Sequence, residues 1–167
     1  MKQTVDPIFS ESQRFRQWLI WILVAIGPVI FTWAVIQQLV LDIPFGNNPS
    51  NDTVLVILTV IFGIAFPLFL YRTGLDTEVG DEGIRIRFWP FHRQPRVFYF
   101  TDVENVEAVT YSPLKDYGGW GIRYGTKGKA YNVRGNQGVV LTLKSGESIL
   151  IGSQHHETLC SVIEDRL

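Results

Sequence analysis

Two uninterrupted apolar runs dominate the hydrophobic pattern of the chain, Trp18–Leu41 and Thr53–Tyr71, and neither contains Asp, Glu, Lys, Arg or His. Wound as helices at ~1.5 Å per residue they would extend roughly 36 and 28 Å, against a bilayer hydrocarbon core of about 30 Å. The pattern predicts a transmembrane helical hairpin over residues 18–71, with spans 18–41 and 53–71. The first run has no polar face, which argues against a buried core helix. It is also longer than the apolar region of a cleaved signal peptide and follows a polar stretch. Each span carries one glycine and one proline, Gly27 with Pro28 and Gly63 with Pro67. Prolines are tolerated in membrane helices and small residues favour close helix contact, so helix packing is the expected role.

Past Arg72 the period switches from helical to two. Ile84, Ile86 and Phe88 alternate with Arg85 and Arg87, and Val139, Leu141 and Leu143 share a face. Strands are predicted near 75–79, 83–89, 97–100, 104–111, 119–124, 130–133, 138–144 and 148–152. They are separated by turn residues at Gly80-Asp81, Pro90, Pro95, Gly118, Gly125, Gly128, Gly135-Asn136 and Gly146. The last segment, 154–167, places Leu159, Val162 and Ile163 at helical spacing, with Ser153 as a candidate cap. The fold class expected is a two-helix transmembrane hairpin followed by a mainly antiparallel β sandwich or barrel, closed by a C-terminal α-helix. Residues 1–17 are expected to be a cytoplasmic N-terminal segment and 73–167 a cytoplasmic domain.

Several segments carry a family likeness: Gly83-Ile84-Arg85-Ile86, the strand Val97-Phe98-Tyr99-Phe100, the turn Thr101-Asp102-Val103, and the hairpin Val140–Ile151 with its helix. In this order the C-terminal part resembles the bacterial pleckstrin-homology-like (PH-like) domain. The chain as a whole looks like small bacterial membrane proteins that place two spans before such a domain. Tyr111-Ser112-Pro113-Leu114, with Tyr117-Gly118-Gly119-Trp120-Gly121-Ile122-Arg123, looks like a signature of an uncharacterised subgroup. The resemblance implies a PH-like sandwich and brings no assigned chemistry. Eukaryotic members often bind phosphoinositides through basic residues of the first hairpin. Here that turn is Gly80-Asp81-Glu82-Gly83, so this property does not carry over.

Charge adds orientation. Lys2, Arg14 and Arg16 precede the first span, Arg72 follows the second, and the connector 42–52 contains no basic residue. Basic flanks stay on the cytoplasmic side, so a multi-pass protein of the inner membrane is expected, with both termini cytoplasmic. The net charge of −1 implies no bulk attraction to nucleic acid. Cys160 is the single cysteine, which suits a reducing compartment.

Candidate chemistry is sparse. His156 and Cys160 lie one helical turn apart beside His155, but two or three such residues without further ligands do not define a zinc site. No nucleophile–base pair is apparent, so no enzyme activity, cofactor or metal is expected. Basic clustering is more informative. From Gly83 to Thr101 there are four arginines and no acid, and from Tyr117 to Gly146 five basic residues and no acid. These stretches nominate Trp89, Phe91, Arg93, Arg96, Arg123, Lys127 and Lys129 as lipid- or partner-contact residues. Rings and cations at hairpin tips could rest on anionic headgroups, each cation contributing on the order of 1 kcal/mol. Solvated strand faces would look the same in sequence. Residues 117–124 could line a groove, or form tight turns around a buried Trp120. The reading is a non-enzymatic, membrane-anchored interaction or scaffold module that contacts anionic lipid, a protein partner or another copy of itself. The alternative is a lipid- or small-molecule-binding protein with a pocket in the β domain.

Overall fold

The computed structural model of the protein describes residues 7–167. The chain forms two units, one from Phe15–Arg72 and one in which the segment up to Arg14 joins Thr73–Leu167.

The first unit is a pair of helices, α1 (Trp18–Val40) and α2 (Asp52–Arg72). Both match the apolar runs to within a residue at each end. α2 starts where the Asn51 side chain accepts the Val54 amide at 3.0 Å, with Asp52 in the positive first turn. Gly27 lets the two helices approach: a Cβ there would sit 3.1 Å from the Phe62 carbonyl. Beside it the Phe31 and Phe62 rings stack at 5.6 Å. Gln38, near the end of α1, donates to Asp52 at 2.7 Å and to the Ser50 carbonyl at 2.8 Å. The turns Thr59–Ala65 widen into a π-helical form just before Pro67, which has no N–H to continue the regular ladder. Only 6% of the apolar window of either helix is buried. Both are long and apolar enough to cross a membrane.

Among the described residues, the second unit contains nine strands in two sheets. β1 (Phe9–Arg14), β2 (Gly74–Val79), β3 (Gly83–Trp89) and β4 (Arg96–Tyr99) form an antiparallel meander in chain order. β5 (Val103–Thr110), β6 (Gly121–Gly125), β7 (Gly128–Asn132), β8 (Gln137–Leu143) and β9 (Ser148–Gly152) form the other sheet, ordered β5-β8-β9-β7-β6. A short helix α3 (Pro113–Tyr117) lies between β5 and β6, and α4 (His156–Glu164) follows β9. The alternation that predicted the strands also builds the core. Phe88 and Ile84 of β3 pair with Leu75 and Val79 of β2, and Val139 and Leu141 of β8 pair with Ile151 and Ile149 of β9, all buried, while Leu150 packs on the opposite face with Tyr111, Tyr117 and Ala130. α4 buries Leu159 and Ile163 completely against β5 and β8. At roughly 1.5–3 kcal/mol for each fully buried large aliphatic or aromatic side chain, this shared core is the main stabilising contribution.

Four features refine or correct the expectations. The segment 1–17 is not merely a polar leader: Phe9–Arg14 is an edge strand of the β unit, paired with β2 from Phe9↔Val79 to Arg14↔Gly74. The part of that segment up to Asp6 lies outside the described residues. Its inward positions are Phe9, Glu11 and Gln13, so it shows no apolar alternation. Gln13 is buried because its amide donates to the Gly152 carbonyl at 2.7 Å. Glu11 accepts from Ser153 Oγ at 2.5 Å and from the Gln154 amide at 2.9 Å. Second, the sheets do not close into a barrel among the described residues, and β7 runs parallel to β9. Third, a short helix that the strand pattern does not announce occupies residues 113–117, started by Pro113 and ended by left-handed Gly118 (φ 71°). Fourth, Ser153 does not cap α4 directly. It accepts the His155 amide at 3.0 Å in the turn before the helix.

Candidate functional site: a cationic, aromatic groove

The β6–β7 hairpin positions the most distinctive surface of the β unit. Gly125 and Gly128 face each other across a two-residue turn, Thr126-Lys127. Gly128 sits at φ 104°, and its bare Cα allows the chain to pass against the Ser148 carbonyl, so any side chain would collide there. The turn leads directly into the parallel pairing of Lys129 with Ile149. An open groove of about 740 Å³ runs here. Its lining includes Arg96 and Phe98 of β4, Tyr124 of β6, Lys127, Lys129 and Tyr131 of the hairpin and β7, and Glu147 before β9.

Tyr124 and Lys129 are register partners, and Tyr131 lies two residues on from Lys129 on the same strand face. The Lys129 ammonium consequently stands 4.9 Å from the Tyr124 ring centroid and 5.0 Å from that of Tyr131. Cation–π attraction holds it in place. Burial acts to lower its pKa, but the Tyr124 and Tyr131 side chains reverse this and keep it above its ordinary value, so it is charged at neutral pH. Arg96 lies close enough to oppose that charge. Tyr131 is completely buried, and apart from the Lys129 ammonium its hydroxyl has no hydrogen-bond partner among the described residues. Beside it, His92 packs edge-on to the Tyr131 ring at 5.6 Å and accepts the Phe88 amide on Nδ1 at 3.2 Å. Burial, then the nearby Arg96 and Lys129 charges, lower the His92 pKa, so its ring stays neutral.

Three of the seven nominated residues, Arg96, Lys127 and Lys129, meet in this groove. Lys127 is engaged by Asp116 at 3.2 Å. The Asp116 carboxyl is held below its usual range by the Ser112 amide first and by Lys127 second. Arg96 and Lys129 make no ion pair among the described residues. The other four nominated residues lie outside the lining. Trp89 ends β3 half-buried, while Phe91 and Arg93 are exposed in the β3–β4 connection, Phe91 with its ring 6.0 Å from that of Phe88. Arg123 points to the backbone, donating to the Trp120 carbonyl at 3.0 Å. Trp120 is half-buried rather than a core residue, and its indole donates to the Gly135 carbonyl at 3.1 Å. The buried aromatics of this region are Tyr111 and Tyr117, packed edge to face at 5.8 Å. Burial pushes the Tyr111 hydroxyl up to about 12, so it remains a neutral phenol.

Charge counting alone missed Tyr124, Tyr131, Phe98 and His92. The signal for two of them was present in the Tyr-Gly-Thr-Lys-Gly-Lys-Ala-Tyr run from Tyr124 to Tyr131. Read as a hairpin centred on Thr126-Lys127, it brings both rings to one lysine. No group of three or more His, Cys, Asp or Glu able to hold a metal occurs among the described residues. Cys160 is buried with its thiol 3.6 Å from Glu164 Oε1. Burial and that carboxylate push the thiol pKa up, which disfavours the thiolate a nucleophile or metal ligand requires.

The architecture defines a class: two apolar helices able to cross a membrane, attached to a two-sheet β unit with a C-terminal helix and a basic groove. Within it the chain belongs to a family of unknown function, DUF6141, whose model matches residues 2–165. No curated protein matches the chain.

Proposed function

We propose that the protein is a non-enzymatic, membrane-anchored interaction module, with a PH-like β domain held at the cytoplasmic face of a bacterial inner membrane. The carrying observation is the groove that gathers Arg96, Lys127 and Lys129 around Tyr124, on a chain whose two apolar helices are almost entirely unburied. A soluble core helix would hide its apolar face, whereas these two would need a lipid environment to remain soluble. The PH-like reading is supported by the four-stranded meander, the second sheet and the closing helix following each other in chain order. The cytoplasmic assignment rests on the basic flanks and the connector without Lys or Arg. The groove is open and amphipathic, with cations and aromatic rings interleaved along its lining. Such a surface contacts an anionic headgroup or an acidic segment of a partner.

The same groove supports a second reading, a binding pocket for a lipid or small molecule, since about 740 Å³ falls in the usual range for ligand sites. A photo-crosslinking residue at Tyr124, which is 76% exposed, tests both in native membranes. The module reading expects adducts with a protein or with bulk anionic lipid; the pocket reading expects one enriched small molecule or minor lipid. Labelling no stronger than from the same residue placed at exposed Glu104 on β5 would remove the groove from both readings.

A further inference from the structure

The groove holds more structure than a contact surface for a charged membrane requires. Exposed lysines at a loop tip suffice for diffuse attraction to a bilayer. Here Lys129 is partly buried and clamped between two tyrosine rings, 4.9 and 5.0 Å away. Clamping a cation costs side-chain entropy, and placing it near Arg96 costs repulsion. Neither cation has a carboxylate partner among the described residues, although Glu147 lines the same groove. The Tyr131 hydroxyl is a third polar group in the lining. It is fully buried, and apart from the nearby Lys129 ammonium it has no hydrogen-bond partner among the described residues, so its bonding capacity is incompletely used. A planar guanidinium, a fixed ammonium and a phenol donor suit an anion with three or more acceptor oxygens better than a two-oxygen carboxylate. Aromatic Phe98 and exposed Tyr124 supply an apolar wall for the group that carries it.

We propose that this groove is a binding site for a phosphate monoester, with Arg96 and Lys129 pairing the phosphate oxygens and the Tyr131 hydroxyl donating to it. This deepens the interaction-module reading by assigning a ligand class to its groove. Lys127 is set apart by its ion pair with Asp116, and Glu147 disfavours ligands with a second anionic group on its side of the lining. The phosphate monoester can come from a lipid headgroup such as that of phosphatidic acid or from a soluble organic phosphate, whereas the phosphodiester headgroups of most phospholipids carry only one charge on the phosphate.

The test uses the full chain in phosphatidylcholine nanodiscs, titrated with glycerol 3-phosphate, and in nanodiscs doped with phosphatidic acid or, at equal charge, phosphatidylserine. Binding is read by the 31P line of the probe and by protein melting. Glycerol 3-phosphate binding in phosphatidylcholine discs identifies a soluble source. Stabilisation by phosphatidic acid over phosphatidylserine, without response to the soluble ester, identifies a headgroup. In whichever arm responds, R96Q and K129Q should each weaken the apparent Kd about tenfold or more, the loss expected for a charge-assisted hydrogen bond. R123Q, outside the groove, should leave it unchanged. Y131F should weaken binding several-fold while changing the melting temperature of the unliganded protein little, because the hydroxyl it removes has only the Lys129 ammonium beside it among the described residues. A purely structural Tyr131 would instead lose stability and leave affinity intact. The proposal is overturned if neither arm responds, if phosphatidylserine equals phosphatidic acid, or if R123Q weakens binding as much as K129Q. Equal response to both lipids, with crosslinking at Tyr124 retained, would overturn the phosphate site and leave the interaction module standing.

Discussion

At the scale of single residues, the groove and its margins are governed by which charges are paired and which are not. His92 is the clearest case. Its Nδ1 accepts the Phe88 amide while its own amide donates to the Phe88 carbonyl at 2.8 Å, and Arg96 and Lys129 repel a proton on the ring. Burial is the larger cause, and together with these charges it sets the folded-state pKa below the ordinary 6.5. The sign follows from proton linkage. Below about 6.5 the unfolded chain takes up a proton that the folded chain refuses, so stability falls as the pH drops through the range beneath that value. The melting temperature of the β unit should therefore decline between pH 7.5 and 5.5, and H92Q, which does not titrate, should show a shallower decline. Parallel melting curves for the two proteins would show that His92 is not the responsible group. Lys129 acts in the opposite sense. Its charge is maintained by neighbouring rings, so no loss of groove charge is expected anywhere near neutral pH.

At the scale of elements, β1 is the strand with the greatest leverage. It supplies the edge of the first sheet, yet Gln13 reaches Gly152, and Glu11 reaches Ser153 and Gln154, at the end of β9. Arg14 adds an ion pair to Asp76 at 2.7 Å, half-exposed and worth little by itself. A fragment beginning at residue 73 leaves β2 unpaired along this edge and the turn at Ser153 without its carboxylate. Losing these bonds and the burial of Phe9 should lower melting by roughly 10–20 °C relative to a version with residues 7–14 retained. A synthetic peptide of residues 7–14 added in trans should recover part of the difference by mass action. Equal melting of the two versions would show that β1 is dispensable. The same strand carries a topological consequence. Arg14 and Gly74 are register partners, so the chain leaves the β unit for the helices and returns from them at adjacent positions of one sheet.

At the scale of the whole molecule, the topology proposal is open to a direct check. Cys160 is buried, so a cysteine introduced at exposed Ser50 in the connector gives the only ready thiol. It should react with a membrane-impermeant maleimide in intact cells, because basic residues flank the helices on the other side. Labelling only after lysis would invert the orientation. Much of this molecule was legible from the chain. Helical runs without a charged residue and period-two alternation at Ile84–Phe88 and Val139–Leu143 report directly on local burial, and local burial is what hydrophobic patterns encode. The helix at Leu159–Ile163 was legible for the same reason. What sequence could not supply is anything set by partners distant along the chain. β1 is a strand because its polar Gln13 and Glu11 find backbone and hydroxyl groups some 140 residues away. No alternation announces a strand whose buried face is polar. The parallel pairing of β7 with β9, and the open arrangement of the sheets among the described residues, depend on strand order, to which a local pattern is blind. The groove belongs to both kinds. Its cations Arg96, Lys127 and Lys129 could be picked out as stretches free of acid. Only the folded β6–β7 hairpin, lying beside β4, decides that two tyrosines enclose one lysine and that Arg123, Arg93, Phe91 and Trp89 remain outside.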